Sequence, residues 1–177
     1  MLDGVSVSLD EMLQAREDRV QQQQMFLARH QKPLVSLTMV IPGAGKNSSG
    51  VQFLFKEAVE ALGQVCDGYG WEIVFSELQG DAVTGSQGFF GLNVEDAAQI
   101  KKVLLMLEEQ HPLGRLWDFD VLESNGRAIS RTHLGFPPRQ CFICSEAAHA
   151  CARSKAHTIE VLLRKIESMI NAAQIES

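Results

Sequence analysis

The stretch that most constrains the fold of this chain is residues 115–122, which read RLWDFDVL. Side chains of a β-strand point alternately to its two faces, so the three large apolar side chains of this stretch share one face while Asp118 and Asp120 share the other. The pattern therefore predicts a strand with one face against a core and two carboxylates on the opposite face. A rise of about 3.3 Å per residue separates the two aspartate Cα atoms by roughly 6.5 Å.

Two carboxylates at this spacing repel each other, and a shared proton or a hard cation relieves the repulsion. A Mg²⁺ ion that joins Asp118 and Asp120 to substrate phosphates is one interpretation of the pair. The alternative is a solvated strand face on which each aspartate pairs with an arginine. Short D-x-D strings are common by chance, so the spacing alone does not decide between the two.

Length and charge narrow the class of protein. A chain of 177 residues suits one well-buried domain, so we predict a single domain over 1–177. The formal charge of -6 argues against nucleic acid as a partner. Residues 1–114 hold 8 Lys/Arg and 15 Asp/Glu, whereas residues 115–165 hold 8 and 5. Basic groups therefore concentrate around the D-x-D strand, as expected for an enzyme that handles a polyanionic small substrate.

No apolar run approaches the roughly 18 residues that cross a bilayer, and the N-terminus lacks the layout of a secretory signal. We expect a cytoplasmic protein with no membrane partner. The four cysteines then belong to a reducing compartment, where a disulfide framework is not expected.

The order of predicted elements indicates an α+β fold with one mixed, mostly antiparallel sheet covered by helices on one side. A capping box at Ser8 and Glu11 opens a helix over about 9–30. Asn93 is a candidate N-cap for a later helix. The turn at 124–126 indicates a hairpin with a return strand at 127–131. Strands are predicted at 34–41, 71–78, 88–94 and 115–122, and further helices at 48–65, 95–110, 144–153 and 158–173.

A set of thiol and imidazole side chains consists of Cys141, Cys144, Cys151 and His157. These are the ligand types that zinc prefers. If 144–153 is helical, Cys144 and Cys151 lie some 10 Å apart along the axis at about 1.5 Å per residue, too far to meet at one ion without a break in the helix. Cysteine also packs as a small buried hydrophobe, so we favour core thiols over a zinc site.

Candidate phosphate ligands lie in two parts of the chain. Lys46 follows a predicted strand and precedes a helix whose N-terminus favours anions, although the full Walker spacing is not present. The alternative is a solvated loop lysine. Near the last helices and the hairpin, basic groups that bind phosphate oxygens well are clustered, the alternative being a solvated surface. They are Arg127, Arg131, Arg139, Arg153, Lys155 and His157.

Three motifs together resemble a known family. They are the strand and turn at 36–43, the strand at 115–121, and Arg139-x-Cys141-x2-Cys144 followed by Cys151-Ala152-Arg153-Ser154-x2-His157. This pattern resembles holo-citrate lyase synthase, also called apo-citrate lyase phosphoribosyl-dephospho-CoA transferase. The resemblance extends over about residues 10–170.

The resemblance implies an enzyme that attaches triphosphoribosyl-dephospho-CoA to a serine of the acyl carrier (gamma) subunit of citrate lyase and releases pyrophosphate. It implies that Asp118 and Asp120 are catalytic and hold Mg²⁺ as the cofactor. His157 would donate to a phosphate oxygen. The remaining phosphate charge would be neutralised by Arg115, Arg131, Arg139, Arg153 and Lys155.

The related transferase of malonate decarboxylase carries a similar D-x-D, and this similarity suggests a nucleotidyltransferase-like arrangement. Two other functions stay open from the sequence. One is a non-catalytic module that docks or assembles an acidic carrier protein on the basic surface. The other is a zinc-stabilised regulatory domain.

Overall fold

In the computed structural model, which describes residues 2–176, an antiparallel sheet of four strands lies at the centre of the molecule. Its spatial order is β2-β3-β1-β4, so β2 and β4 are the edge strands. The sheet and its helices confirm the predicted α+β class. The strands are β1 (Leu34–Met39), β2 (Ile73–Gln79), β3 (Gln87–Leu92) and β4 (Trp117–Leu122).

Helices cover both faces of this sheet, so the prediction of cover on one side is wrong. β1 begins with consecutive apolar residues, and Leu34 points to one face while Val35 and Leu37 point to the other. Phe26 and Leu27 of α1 pack on the Leu34 face, and α2, α3 and α5 pack on the opposite face. The helices are α1 (Leu9–His30), α2 (Ser49–Tyr69), α3 (Ala97–Gln110), α4 (Ala148–Ser154) and α5 (Ile159–Glu176).

Local capping signals set the helix ends. The predicted box at the start of α1 is present, because the Ser8 backbone N–H donates to Glu11 Oε2 at 2.8 Å and the Glu11 N–H donates to Ser8 Oγ at 3.2 Å. α3 is capped by Asp96, which accepts from the Ala98 N–H at 2.9 Å. The predicted cap Asn93 instead accepts from Lys32 Nζ at 2.7 Å. Within residues 2–176, no helix has both the length and the apolar character needed to cross a membrane.

The segment after β4 departs most from the prediction. The hairpin turn at 124–126 is present, but the strand expected at 127–131 is reduced to a bridge between Leu122 and Ala128. The helix expected from residue 144 begins only at Ala148. Residues 140–147 form a small hairpin instead, in which the Cys141 N–H donates to the Glu146 carbonyl at 2.8 Å.

Candidate functional site

The two aspartates of β4 lie on the same face of the sheet, as the alternation predicts. Asp118 lies opposite Thr38 and Asp120 lies opposite Ser36 in the pairing with β1. Phe119, between them, is fully buried on the other face. We call the surface formed by Asp118 and Asp120 the carboxylate face.

The outer edge of β4 is covered by α3 rather than by another strand. The Phe119 N–H donates to Glu108 Oε1 at 2.9 Å, and Lys101 Nζ donates to the Phe119 carbonyl at 2.5 Å. Lys101 and Glu108 are only 5% and 3% exposed. These two side chains replace the missing strand partner, because a buried backbone group needs a hydrogen bond. They hold the residue between the two aspartates in place.

Sequence reasoning missed both of these α3 residues. A signal was present, because Lys101 and Glu108 are seven residues apart and therefore lie on one side of a helix whose neighbouring positions Ile100 and Leu104 are apolar. Charged residues on a buried stripe indicate that a specific polar partner is nearby.

Arginine side chains neutralise part of the carboxylate charge. Arg139 Nη2 lies 2.7 Å from Glu108 Oε2 and 3.0 Å from Asp118 Oδ1, so one guanidinium bridges the two acids. Arg131 contacts Glu109 at 3.0 Å and Glu108 at 3.5 Å. The Asp118 side chain nevertheless keeps 40% of its surface exposed. Asp118 therefore pairs with an arginine, as the alternative of a solvated strand face predicts, and it remains accessible to a ligand.

Ionisation of the carboxylate face is unfavourable. The pKa of Asp120 is raised, first because surrounding protein atoms displace water from the carboxyl group and then because Asp118 repels its charge. Lys101, Arg139 and Arg19 oppose this shift. Asp120 nevertheless keeps an exposed surface and is not sealed in the interior. A cation that reached this face would relieve the repulsion.

Three of the predicted phosphate ligands line one cavity beside this face. Arg115, Arg131 and Arg139 surround a volume of about 320 Å³ together with Glu108 and Glu109. The Arg115 guanidinium donates to the Gln140 carbonyl and lies 5.3 Å from the centre of the Phe142 ring. The structure thus assembles an arginine-lined cavity next to the D-x-D strand.

The other predicted phosphate ligands lie elsewhere. Lys46 Nζ donates to the Ile41 carbonyl at 2.6 Å and so folds back onto its own loop. Arg153 lies on the exposed surface of α4. Lys155 and His157 line a separate, more apolar cavity of about 660 Å³, with Ile41 among its other walls. The basic cluster that the sequence suggested is therefore divided between two regions.

The cysteines and His157 come together, so the argument that separated them is wrong. Cys144 Sγ lies 3.5 Å from Cys151 Sγ and 3.3 Å from His157 Nε2. The potential ligand atoms of Cys141, Cys144, Cys151 and His157 all lie within 4.8 Å of one another. The prediction failed because Cys144 precedes α4, and the 10 Å separation along a common helix does not arise.

The site combines carboxylates that contact an arginine with a cavity lined by arginines. This arrangement is typical of the class of proteins that bind phosphate-rich ligands. Comparison with known proteins is more specific. Residues 7–173 match the family described as apo-citrate lyase phosphoribosyl-dephospho-CoA transferase. The chain belongs to this family.

Similar relatives carry the same description. A probable apo-citrate lyase phosphoribosyl-dephospho-CoA transferase of Vibrio cholerae serotype O1 is 41% identical over 165 residues, covering 93% of this chain and 92% of the relative. The corresponding Citrobacter koseri protein is 39% identical over 168 residues, with 95% and 91% covered. That of Shigella boydii serotype 18 is 38% identical over 166 residues, with 94% and 90% covered.

Proposed function

We propose that this chain is a transferase that attaches the phosphoribosyl-dephospho-CoA group of triphosphoribosyl-dephospho-CoA to a serine of the acyl carrier (gamma) subunit of apo-citrate lyase, with release of pyrophosphate. The family and the relatives' names support the reaction class. The observation in the structure that carries the proposal is the carboxylate face beside the cavity lined by Arg115, Arg131 and Arg139.

In the proposed reaction, the serine oxygen forms a bond to the phosphorus next to the ribose. The bond from this phosphorus to the leaving pyrophosphate breaks with its electron pair, and the hydroxyl proton is released. Because negative charge grows on the leaving group, the protein contributes mainly alignment and positive charge. Arg131 and Arg139 are the best placed groups for this, since both line the cavity, where they contact Glu109 and Glu108.

The donor set of the carboxylate face fits a Mg²⁺ cofactor. Asp118 and Asp120 supply oxygen ligands, which Mg²⁺ prefers, and both have exposed surface. Bound Mg²⁺ would supply charge neutralisation to the triphosphate oxygens. Arg139 would have to share Asp118 with the ion or turn to the substrate, and its second partner Glu108 keeps the guanidinium near the cavity in either case.

A mass-shift assay tests the proposal. The purified chain is incubated with apo acyl carrier, the precursor and Mg²⁺, and the carrier is then weighed by mass spectrometry. We expect the mass to rise by one prosthetic group, and the rise to be abolished by EDTA and restored by excess Mg²⁺. An unchanged carrier mass, beside an active relative as positive control, contradicts the transferase proposal. Transfer that persists in EDTA contradicts the role of Mg²⁺.

Variants locate the reaction on the structure. We expect Asp118→Asn to lower turnover at least 100-fold, which is about 2.7 kcal/mol of transition-state stabilisation. Arg139→Gln should lower kcat/KM at least 10-fold, because it removes the cation shared by Asp118 and Glu108. Arg29→Gln, which changes an exposed arginine at the end of α1, is the matched control. Equal activity of Arg139→Gln and the control would contradict a role of the arginine-lined cavity in the reaction.

The remaining partners follow from the reaction. The carrier subunit supplies the serine, and no nucleic acid or membrane is required. We place the reaction in the cytoplasm, where the four free thiols of Cys66, Cys141, Cys144 and Cys151 stay reduced.

A further inference from the structure

The side chains of Cys141, Cys144, Cys151 and His157, which we call the cysteine-histidine cluster, occupy one small volume. Three different local structures bring them there. Cys141 and Cys144 lie in the hairpin at 140–147, Cys151 lies on α4, and His157 follows the turn that ends α4. The turn includes Lys155 in the left-handed conformation, with φ of 50°. The periodicity of a single helix therefore does not explain why these four metal-binding side chains lie together.

The distances are close to those of a tetrahedral zinc site. Zn–S bonds of about 2.3 Å at tetrahedral angles place two thiolate sulfurs about 3.8 Å apart, and a sulfur and an imidazole nitrogen slightly closer. The separations from Cys144 Sγ, 3.5 Å to Cys151 Sγ and 3.3 Å to His157 Nε2, are both slightly shorter than these values. No pair of donor atoms in the cluster is more than 4.8 Å apart. Shifts of about 1 Å or less would complete the coordination.

The surrounding segment contributes few fully buried side chains to the core. From residue 123 to residue 165 the structure is fully described, and Cys141 and Cys151 are the only hydrophobic side chains there that are buried. Ile129, Phe142 and Leu163 of this stretch also pack against the main core, but they are only partly buried. Small structural units with so little buried core commonly use a metal ion as an additional link. The Ile143 N–H also donates to Cys141 Sγ at 3.5 Å, which fixes this sulfur within the hairpin.

We propose that Cys141, Cys144, Cys151 and His157 bind one structural Zn²⁺ ion. The three thiols lose their protons on binding and the imidazole coordinates through Nε2, which leaves no open position for a substrate. The ion fixes the hairpin at 140–147 to α4. Arg139 directly precedes this hairpin, and its carbonyl accepts from the Ala148 N–H at 2.8 Å. The zinc site therefore sets the position of an arginine that reaches the carboxylate face.

Metal analysis of the full chain, purified without chelators, tests this proposal independently of transferase activity. We expect about one equivalent of zinc per chain. Cys144→Ala and His157→Ala should reduce the zinc content below about a tenth of an equivalent. Cys66→Ala in α2 and His149→Ala on the exposed side of α4 are matched controls that should retain it. Less than about a tenth of an equivalent in the wild type, or equal loss in the controls, overturns the proposal.

A second measurement uses only the wild-type chain, in case the variants do not fold. Protein produced in cobalt-supplemented medium should show the intense visible absorption of tetrahedral Co²⁺ with thiolate ligands. A strong chelator should abolish this absorption and increase amide hydrogen exchange over 139–158, with little change in α2. Weak absorption typical of octahedral Co²⁺ would refute zinc binding. So would a Cys144–Cys151 disulfide, found by mass spectrometry of freshly purified protein kept in reducing buffer.

Discussion

Replacing Asp120 with asparagine should separate the stability of this protein from its activity. The pKa of Asp120 is raised above its ordinary value of 3.8 by burial and by the charge of Asp118. A carboxyl group of this kind favours the fold below its unfolded-state pKa, and this contribution is lost as the pH rises through the folded-state pKa. At neutral pH the ionised side chain therefore weakens the fold, and neutralising it should strengthen the fold.

The magnitude follows from the strand geometry. At a separation of roughly 6.5 Å, two unit charges repel by about 0.6 kcal/mol in water and by about 2.5 kcal/mol at an effective dielectric constant of 20. Both aspartates have exposed surface, and Arg139, Arg19 and Lys101 offset part of the repulsion. We therefore expect Asp120→Asn to raise the free energy of unfolding by about 0.5–1 kcal/mol at pH 7.

Urea unfolding in Mg²⁺-free buffer without chelator measures this difference at pH 7. The measurement is repeated near about pH 3.5, below the ordinary pKa of Asp120, where the gain should disappear. Asp67→Asn, an exposed neutralisation at the end of α2 on the opposite side of the sheet, is the control. The same Asp120 variant should turn over at least 100-fold more slowly. A loss of stability at pH 7 would refute the electrostatic argument, and wild-type turnover would refute the catalytic role.

Three further predictions concern the α3 edge. Lys101→Met should cost about 1–3 kcal/mol of unfolding free energy by denaturant titration, because the buried Phe119 carbonyl loses its donor; no loss would mean that water replaces the lysine. Gly114→Ala should cost at least about 2 kcal/mol, since its Cβ would lie 2.6 Å from the Glu108 backbone oxygen, whereas Gly63→Ala, with open space around it, should be neutral or stabilising. Because burial raises the pKa of Glu108, Glu108→Gln should flatten the loss of stability as the pH rises above about 4.5; an unchanged pH profile would contradict that assignment.

Local sequence signals predicted much of this fold. The capping box at Ser8, the alternation of β4 and the turn at 124–126 each depend on residues close together in the chain, and each is present. Packing of helices on both faces of the sheet was not predicted. The first residues of β1 are apolar, and this pattern does not show on which face the helices pack. The boundary at residue 148 was missed for a related reason: the helix-forming residues before Ala148 are held in a hairpin by backbone hydrogen bonds that composition does not encode.

The candidate site was predictable only in part, and the division follows from the range of the interactions. The same-face placement of Asp118 and Asp120 is a property of one strand, so periodicity was sufficient. The position of Arg139 is not a property of one strand, so periodicity could not predict it. It depends on Glu108, which lies 31 residues earlier in the chain and is held at the open edge of β4 by the Phe119 N–H. An edge strand leaves backbone groups that some distant side chain must satisfy. That requirement ties α3, the hairpin at 140–147 and the carboxylate face into one structure, so a perturbation of the cysteine-histidine cluster should reach the aspartates through Arg139.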